Sequence, residues 1–149
     1  MGAVESAGMI QAIRDGLLVG LGGAVGALTR YGVGLAAARV LGKGFPWGTL
    51  IVNVAGCFAM GIVLEVIADL EAHSPEGLTA SIRQQLILWH KLVAIGFLGG
   101  LTTFSSFGGD TMRELLGGHA GVAIANVAAN TIFSLTAVWC GMAIVQAVD

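Results

Sequence analysis

Charge is what this sequence most lacks. Only 11% of its 149 residues are Asp, Glu, Lys or Arg, while 56% are hydrophobic. Ordinary soluble domains carry roughly 25% charged residues, so a conventional water-facing surface, and with it a soluble globular enzyme, is excluded. The seven basic residues form no cluster and the net charge is only -2, which leaves nothing to attract nucleic acid. Proline is nearly absent, with 2 residues, and no G-X-Y period accompanies it, so collagen and Gly/Pro linkers are out. Cys57 and Cys140 both fall inside apolar stretches and read as small buried hydrophobes, so no disulfide, metal pair or redox compartment follows. His73, His90 and His119 are scattered without metal-ligand spacing, and no nucleophile, base and orienting group come together.

What is abundant is glycine, 24 residues, about twice average usage, in a chain of mean hydropathy +0.86. Bilayer helices tolerate glycine and use it where they touch. The hydrocarbon core is roughly 30 Å thick and needs about 20 apolar residues per crossing. The chain divides accordingly into a polar N-terminal tail at residues 1–15, which could instead form a short interfacial helix through Met9, Ile10 and Ile13, and one transmembrane domain at 16–149, with spans at 16–38, 47–67, 86–107 and 120–148. The fold class is all-α, a four-helix integral membrane protein. Residues 16–26 could pass for a signal-peptide core, but Glu5, Arg14 and Asp15 precede them and Arg30-Tyr31 follow, so they read as a retained helix. A polar connection at 68–85, with Pro75 and Gly77 as breakers, joins the second and third spans. The stretch Gly20 to Gly26 lacks the Lys-Ser/Thr ending of a phosphate loop and reads as a packing face.

The third span contains Gly99-Gly100-Leu101-Thr102-Thr103-Phe104-Ser105-Ser106-Phe107. Two glycines and four hydroxyl residues compete there with helical hydrogen bonding, which predicts a break. Irregular backbone at membrane depth persists only where protein or a water-filled cavity satisfies it. The break therefore belongs at a helix contact or beside an ion path. Its exposed carbonyls would suit a hard cation.

Four spans put both termini on one face. Arg14, Arg83 and Lys91 then lie on the terminal side, and Arg39, Lys43 and Arg113 on the other, with Arg30 within the first span. Lys/Arg bias sets orientation, so this balance predicts insertion both ways and an antiparallel homodimer.

Polar residues inside the spans carry the functional question. Arg30 is either a side chain snorkelling to the interface or the cation of an anion-gathering vestibule. Thr49, Asn53 and Gly56 share one face of the second helix, and Asn126, Asn130 and Ser134 form a stripe on the fourth. Each Asn has two N–H donors for an anion, or serves as interhelical glue. Phe104 and Phe107, at i and i+3, face one way if helix resumes after the break, and aromatic rings carry a positive edge. Glu65 and Asp110 sit near span ends, so the mid-membrane carboxylate of a small proton-driven drug exporter is missing.

Three segments together resemble the Fluc family of fluoride channels, also called CrcB proteins: Gly22-Gly23-Ala24-Val25-Gly26-Ala27-Leu28-Thr29-Arg30-Tyr31, Pro46-Trp47-Gly48-Thr49-Leu50 with Asn53 and Gly56, and Gly96-Phe97-Leu98-Gly99-Gly100-Leu101-Thr102-Thr103-Phe104-Ser105-Ser106-Phe107. The likeness spans roughly residues 16–147 and its third segment is the most specific. It implies a dual-topology homodimer with two fluoride pores that passively export cytoplasmic fluoride through the inner membrane of a prokaryote. On this resemblance Asn53, Phe104 and Phe107 line the pore, Thr103 and Ser106 place hydroxyls beside the break, and Arg30 stands in the vestibule. Asn130 and Ser134 resemble a polar track on the fourth helix. The carbonyls of Gly99 and Thr102 match those that hold a structural sodium ion at the dimer centre. Gly108-Gly109-Asp110 departs from the Ser-x-Glu of many relatives, which leaves the acidic position open, and the N-terminal tail and second loop look longer than the family minimum. Two other readings stand beside this one, a small multidrug-type transporter and a non-transporting membrane scaffold.

Overall fold

The structure, a computed structural model, describes residues 2–73 and 80–148. Among them every regular element is helical: α1 (Gly2–Val40), α2 (Trp47–His73), α3 (Ala80–Trp89), a π-helical stretch His90–Leu98, α4 (Gly99–Leu101), α5 (Phe104–Leu116) and α6 (Ala120–Gln146). Four segments are long and apolar enough to cross a membrane: Glu5–Val40, Trp47–Leu70, Ile82–Leu116 and Ala120–Gln146. The chain is a multi-pass membrane protein. Pro75 and Gly77, the expected breakers of the second connection, lie outside the described residues.

Two boundaries differ from the sequence reading. Residues 2–15, set apart above as a tail or a separate short helix, are helical and continue α1 without interruption. No proline or left-handed glycine ends the helix there, and Asp15 pairs with Arg14 on α1 and with Lys91 on the π-helical stretch. The third span is longer at both ends than 86–107, running from Ile82 to Leu116, because helix resumes after the break for the whole of α5. The π-helical geometry before the break, rare outside single turns, has no sequence signature here.

Two helix pairs make the frame. α1 lies along the π-helical stretch and α4, and α2 lies along α6, with α5 also against α6. Glycine permits both approaches. A Cβ on Gly26 would stand 2.2 Å from the Phe97 carbonyl oxygen, and one on Gly61 would stand 2.2 Å from that of Val138. Without Cβ atoms the backbones close to van der Waals distance, the main source of helix association where lipid removes the hydrophobic drive. The core between the pairs is small: Val52, Leu98 and Leu101 are buried, flanked by Val33, Ala59, Met60, Val63 and Phe97.

At the end opposite the termini, Gly118 at φ 83° closes α5. The Gly118 N–H donates to the Leu115 carbonyl at 3.2 Å and the His119 N–H to that of Glu114 at 2.9 Å. This is a Schellman closure, which caps orphan carbonyls before α6 begins. Cys57 and Cys140 are free and half-buried.

Candidate functional site

The site begins at the failure of the third helix. Thr102 and Thr103 adopt extended backbone, with ψ of 156° and 117°. The Thr103 N–H, which would donate to the Gly99 carbonyl in a continuous α-helix, donates instead to Asn53 Oδ1 at 2.8 Å. Asn53 Nδ2 in turn donates to the Thr103 carbonyl at 3.3 Å. One side chain on α2 thus satisfies both backbone groups of the central break residue, the compensation that a break at membrane depth requires.

Thr103 also starts the next helix. Its Oγ1 accepts from the Ser106 N–H at 3.1 Å and donates to Ser106 Oγ at 3.1 Å, an N-cap that meets one orphan donor of α5. Phe104 and Phe107 follow on one face of α5, with ring centroids 5.4 Å apart and planes tilted by 56°. Phe104 is 83% exposed, so apart from its contact with Phe107 its ring stands clear of its own chain.

Asn53 donates again, to Asn130 Oδ1 at 3.0 Å. Asn130 Nδ2 donates to Asn126 Oδ1 at 2.8 Å, and Asn126 Nδ2 to Thr111 Oγ1 at 2.8 Å. Asn126 is 0% exposed. Ser134, one turn past Asn130, has a buried Oγ without a hydrogen-bond partner among the described residues.

Asn53, Thr102, Thr103, Phe104, Phe107, Asn130 and Ser134 together line one groove of about 340 Å³. Six residues that the sequence places on three different helices therefore meet around Thr103. A second cavity of about 280 Å³ opens at the α1–α2 loop and is lined by Arg30, Lys43, Thr49, Thr103, Ser106, Asp110, Arg113 and Glu114 among others. Thr103 lines both, so the two cavities share a wall at the break. Gly99 lines neither.

Arg30 lines this second cavity. Its Nη1 reaches inward to the Thr102 carbonyl at 3.5 Å from a position about 15 Å down α1 from Val40 at the helical rise of 1.5 Å per residue. Asp110 accepts from Thr49 Oγ1 at 2.8 Å and from Arg113 Nη1 at 2.9 Å, so the open acidic position is part of this cavity's wall. Thr49, Asn53 and Gly56 do share a face: they meet Asp110, Thr103 and the Thr102 methyl group in turn.

Two assignments need refinement. Asn53 carries no idle donor within this chain, because both its N–H groups meet protein oxygens; the longer bond, to Thr103, is the one an anion could displace. Thr103 spends its hydroxyl on capping. Sequence reasoning placed Asn126 in the polar stripe without a partner and missed Thr111, whose only signal is its i+4 spacing from Phe107.

The residues matched to a sodium site have suitable chemistry. Hard cations take oxygen ligands, often carbonyls, and no three His, Cys, Asp or Glu side chains converge among the described residues. Gly99 is exposed, with only the Ala94 carbonyl within 4 Å of where a Cβ would stand. Its carbonyl has lost the Thr103 N–H, and Thr102 offers a carbonyl whose contact to Arg30 is long, so both oxygens fit.

The family described as CrcB-like protein, Camphor Resistance (CrcB) matches residues 17–142. The chain belongs to the CrcB family. Among curated relatives, a protein of Rhizobium etli is 42% identical over 93% of this chain and 98% of its own length. One from Shewanella amazonensis is 40% identical over 87% and 94%, and one from Koribacter versatilis 38% identical over 92% and 99%. Each of these CrcB relatives is named fluoride-specific ion channel FluC. The CrcB match covers the break, the Phe pair and the polar stripe in full.

Proposed function

We propose that this protein is a passive fluoride-selective channel that lets cytoplasmic fluoride leave the cell and so protects it from fluoride toxicity. The observation that carries the reading is the groove at the break, where two tilted phenylalanine rings stand beside an Asn amide and hydroxyl donors. Fluoride holds its water tightly, so a pore must substitute donors at each step and still let go. Ring edges carry positive potential, the Ser134 hydroxyl is unengaged, and the long Asn53 bond is easily exchanged. Arg30, with Lys43, would raise the local anion concentration at the mouth.

The groove is open on one side in the single chain, with Phe104 exposed, and the backbone of Gly99 outside it is exposed too. Such polar backbone cannot face lipid. A second copy in the opposite orientation would cover it, consistent with the balanced basic residues on the two sides. Gly99 and Thr102 would then hold a sodium ion between subunits, supplying fixed positive charge beside the path. The relatives are bacterial, which supports the inner membrane of a prokaryote as the location. A proton-coupled exporter lacks support because Asp110 is tied to Thr49 and Arg113.

The test is a fluoride electrode on liposomes containing the purified protein, with a potassium ionophore to carry the counter-charge. Rapid fluoride release with chloride retained supports the reading. Equal chloride release, or none of either, overturns it.

A further inference from the structure

An Asn side chain can present its oxygen or its nitrogen to a path, and beside an anion path the difference is between repulsion and attraction. Backbone groups at the two ends settle the choice here, and within the series the Thr103 carbonyl accepts from Asn53 Nδ2 at 3.3 Å and the Asn126 carbonyl from Asn130 Nδ2 at 3.2 Å in the same sense. A peptide N–H can only donate and a peptide carbonyl can only accept. From the Thr103 N–H the bonds run to Asn53 Oδ1 at 2.8 Å, from Asn53 Nδ2 to Asn130 Oδ1 at 3.0 Å, and from Asn130 Nδ2 to Asn126 Oδ1 at 2.8 Å. They continue from Asn126 Nδ2 to Thr111 Oγ1 at 2.8 Å and end with the Thr111 hydroxyl donating to the Phe107 carbonyl at 2.8 Å. All five bonds point the same way. No amide in the series can turn over without setting donor against donor or oxygen against oxygen.

We infer that Thr111 and Asn126 are positioning residues that fix the polarity of this relay, so that each amide oxygen along the groove is occupied by a donor and none is left to repel an anion. The inference rests on the conduction reading above. Neither residue lines the groove; each acts through Asn130. The Thr111 hydroxyl is the far anchor, and the buried Asn126 amide carries its direction across from α5 to α6. Relays of this kind reinforce one another in a low-dielectric interior, so loss of the anchor is felt at Asn130 and Asn53.

The test compares Thr111→Val, which keeps shape without the hydroxyl, with Thr111→Ser, which restores it, and adds Asn126→Leu. All three are reconstituted in liposomes for fluoride efflux and for the reversal potential in a NaF gradient. Thr111→Val and Asn126→Leu are expected to lower efflux about tenfold or more, the scale of one lost buried hydrogen bond, and to weaken anion-over-cation selectivity. Thr111→Ser should stay within about twofold of the parent. Wild-type efflux and selectivity in Thr111→Val, or a Ser variant as impaired as the Val, would overturn the inference. A conduction-independent measurement accompanies it: NMR of protein labelled with 15N-asparagine. Thr111→Val should move the side-chain signals of Asn126 and Asn130; unmoved signals refute the relay even if wild-type protein fails to conduct fluoride.

Discussion

The interrupted third span is held by opposite means on its two sides. Toward α1 the close packing is bare backbone, with polar contacts from Asp15 to Lys91 and from Arg30 to the Thr102 carbonyl on either side of it: Gly22 and Gly26 lie against Leu92 and Phe97, and Gly96 and Gly100 against Val19 and Gly23. Toward α2 and α6 it is made by amides and hydroxyls, with Asn53 holding both backbone groups of Thr103. The first side tolerates no added atom at Gly22, Gly26, Gly96 or Gly100. The second tolerates no change in the sense of a hydrogen bond. A helix can thus be broken in a membrane if one neighbour fixes it by shape and the other by polar substitution.

The most severe way to break this comparison is on the α1 side. Gly26→Val would drive a Cβ to 2.2 Å from the Phe97 oxygen and 2.8 Å from the Leu101 nitrogen. Complete loss of a monodisperse peak in size exclusion is the expected outcome, whereas Gly32→Val, with nothing within 4 Å, should behave as the parent. Normal folding of both would dissolve the claimed contact.

On the other side, Asn53→Leu leaves two backbone groups of Thr103 unpaired. Each such group costs about 1–3 kcal/mol, so a clear fall in thermal stability in detergent is expected together with loss of function. An unchanged melting temperature would mean that the break finds other partners. Away from both sides, Gly42→Ala places a side chain at φ 82°, a left-handed strain of about 1–2 kcal/mol. It should lower the melting temperature in detergent. The smallest effect belongs to Asp15→Asn, which removes a partly exposed interfacial pair with Lys91. Exposed pairs contribute little, so a melting shift below that of Gly42→Ala is expected, and a larger one would give the π-helical stretch a dependence on this anchor.

The break was legible because glycine and hydroxyl residues compete with helix locally, and the shared face of Thr49, Asn53 and Gly56 follows from helical spacing alone. The span count follows from hydropathy. Other features were not legible because they are set by contact across the chain. The π-helical turns accompany the packing of Gly96 and Gly100 on α1, and nothing in residues 90–98 announces them. That Asn53 spends both N–H groups on protein oxygens depends on where Thr103 and Asn130 fall in space. Continuation of α1 through residues 2–15 reflects the Asp15 contact with Lys91, 76 residues away.

The most direct test of the central claim, that anion handling resides in the polar side of the break, is fluoride efflux from liposomes matched for reconstituted Asn53→Asp and Phe104→Ile protein. Asp cannot donate to the Thr103 carbonyl or to Asn130, and Ile removes the exposed ring edge. The account predicts that both variants lose fluoride efflux while eluting as the parent does. Undiminished efflux in both would contradict it.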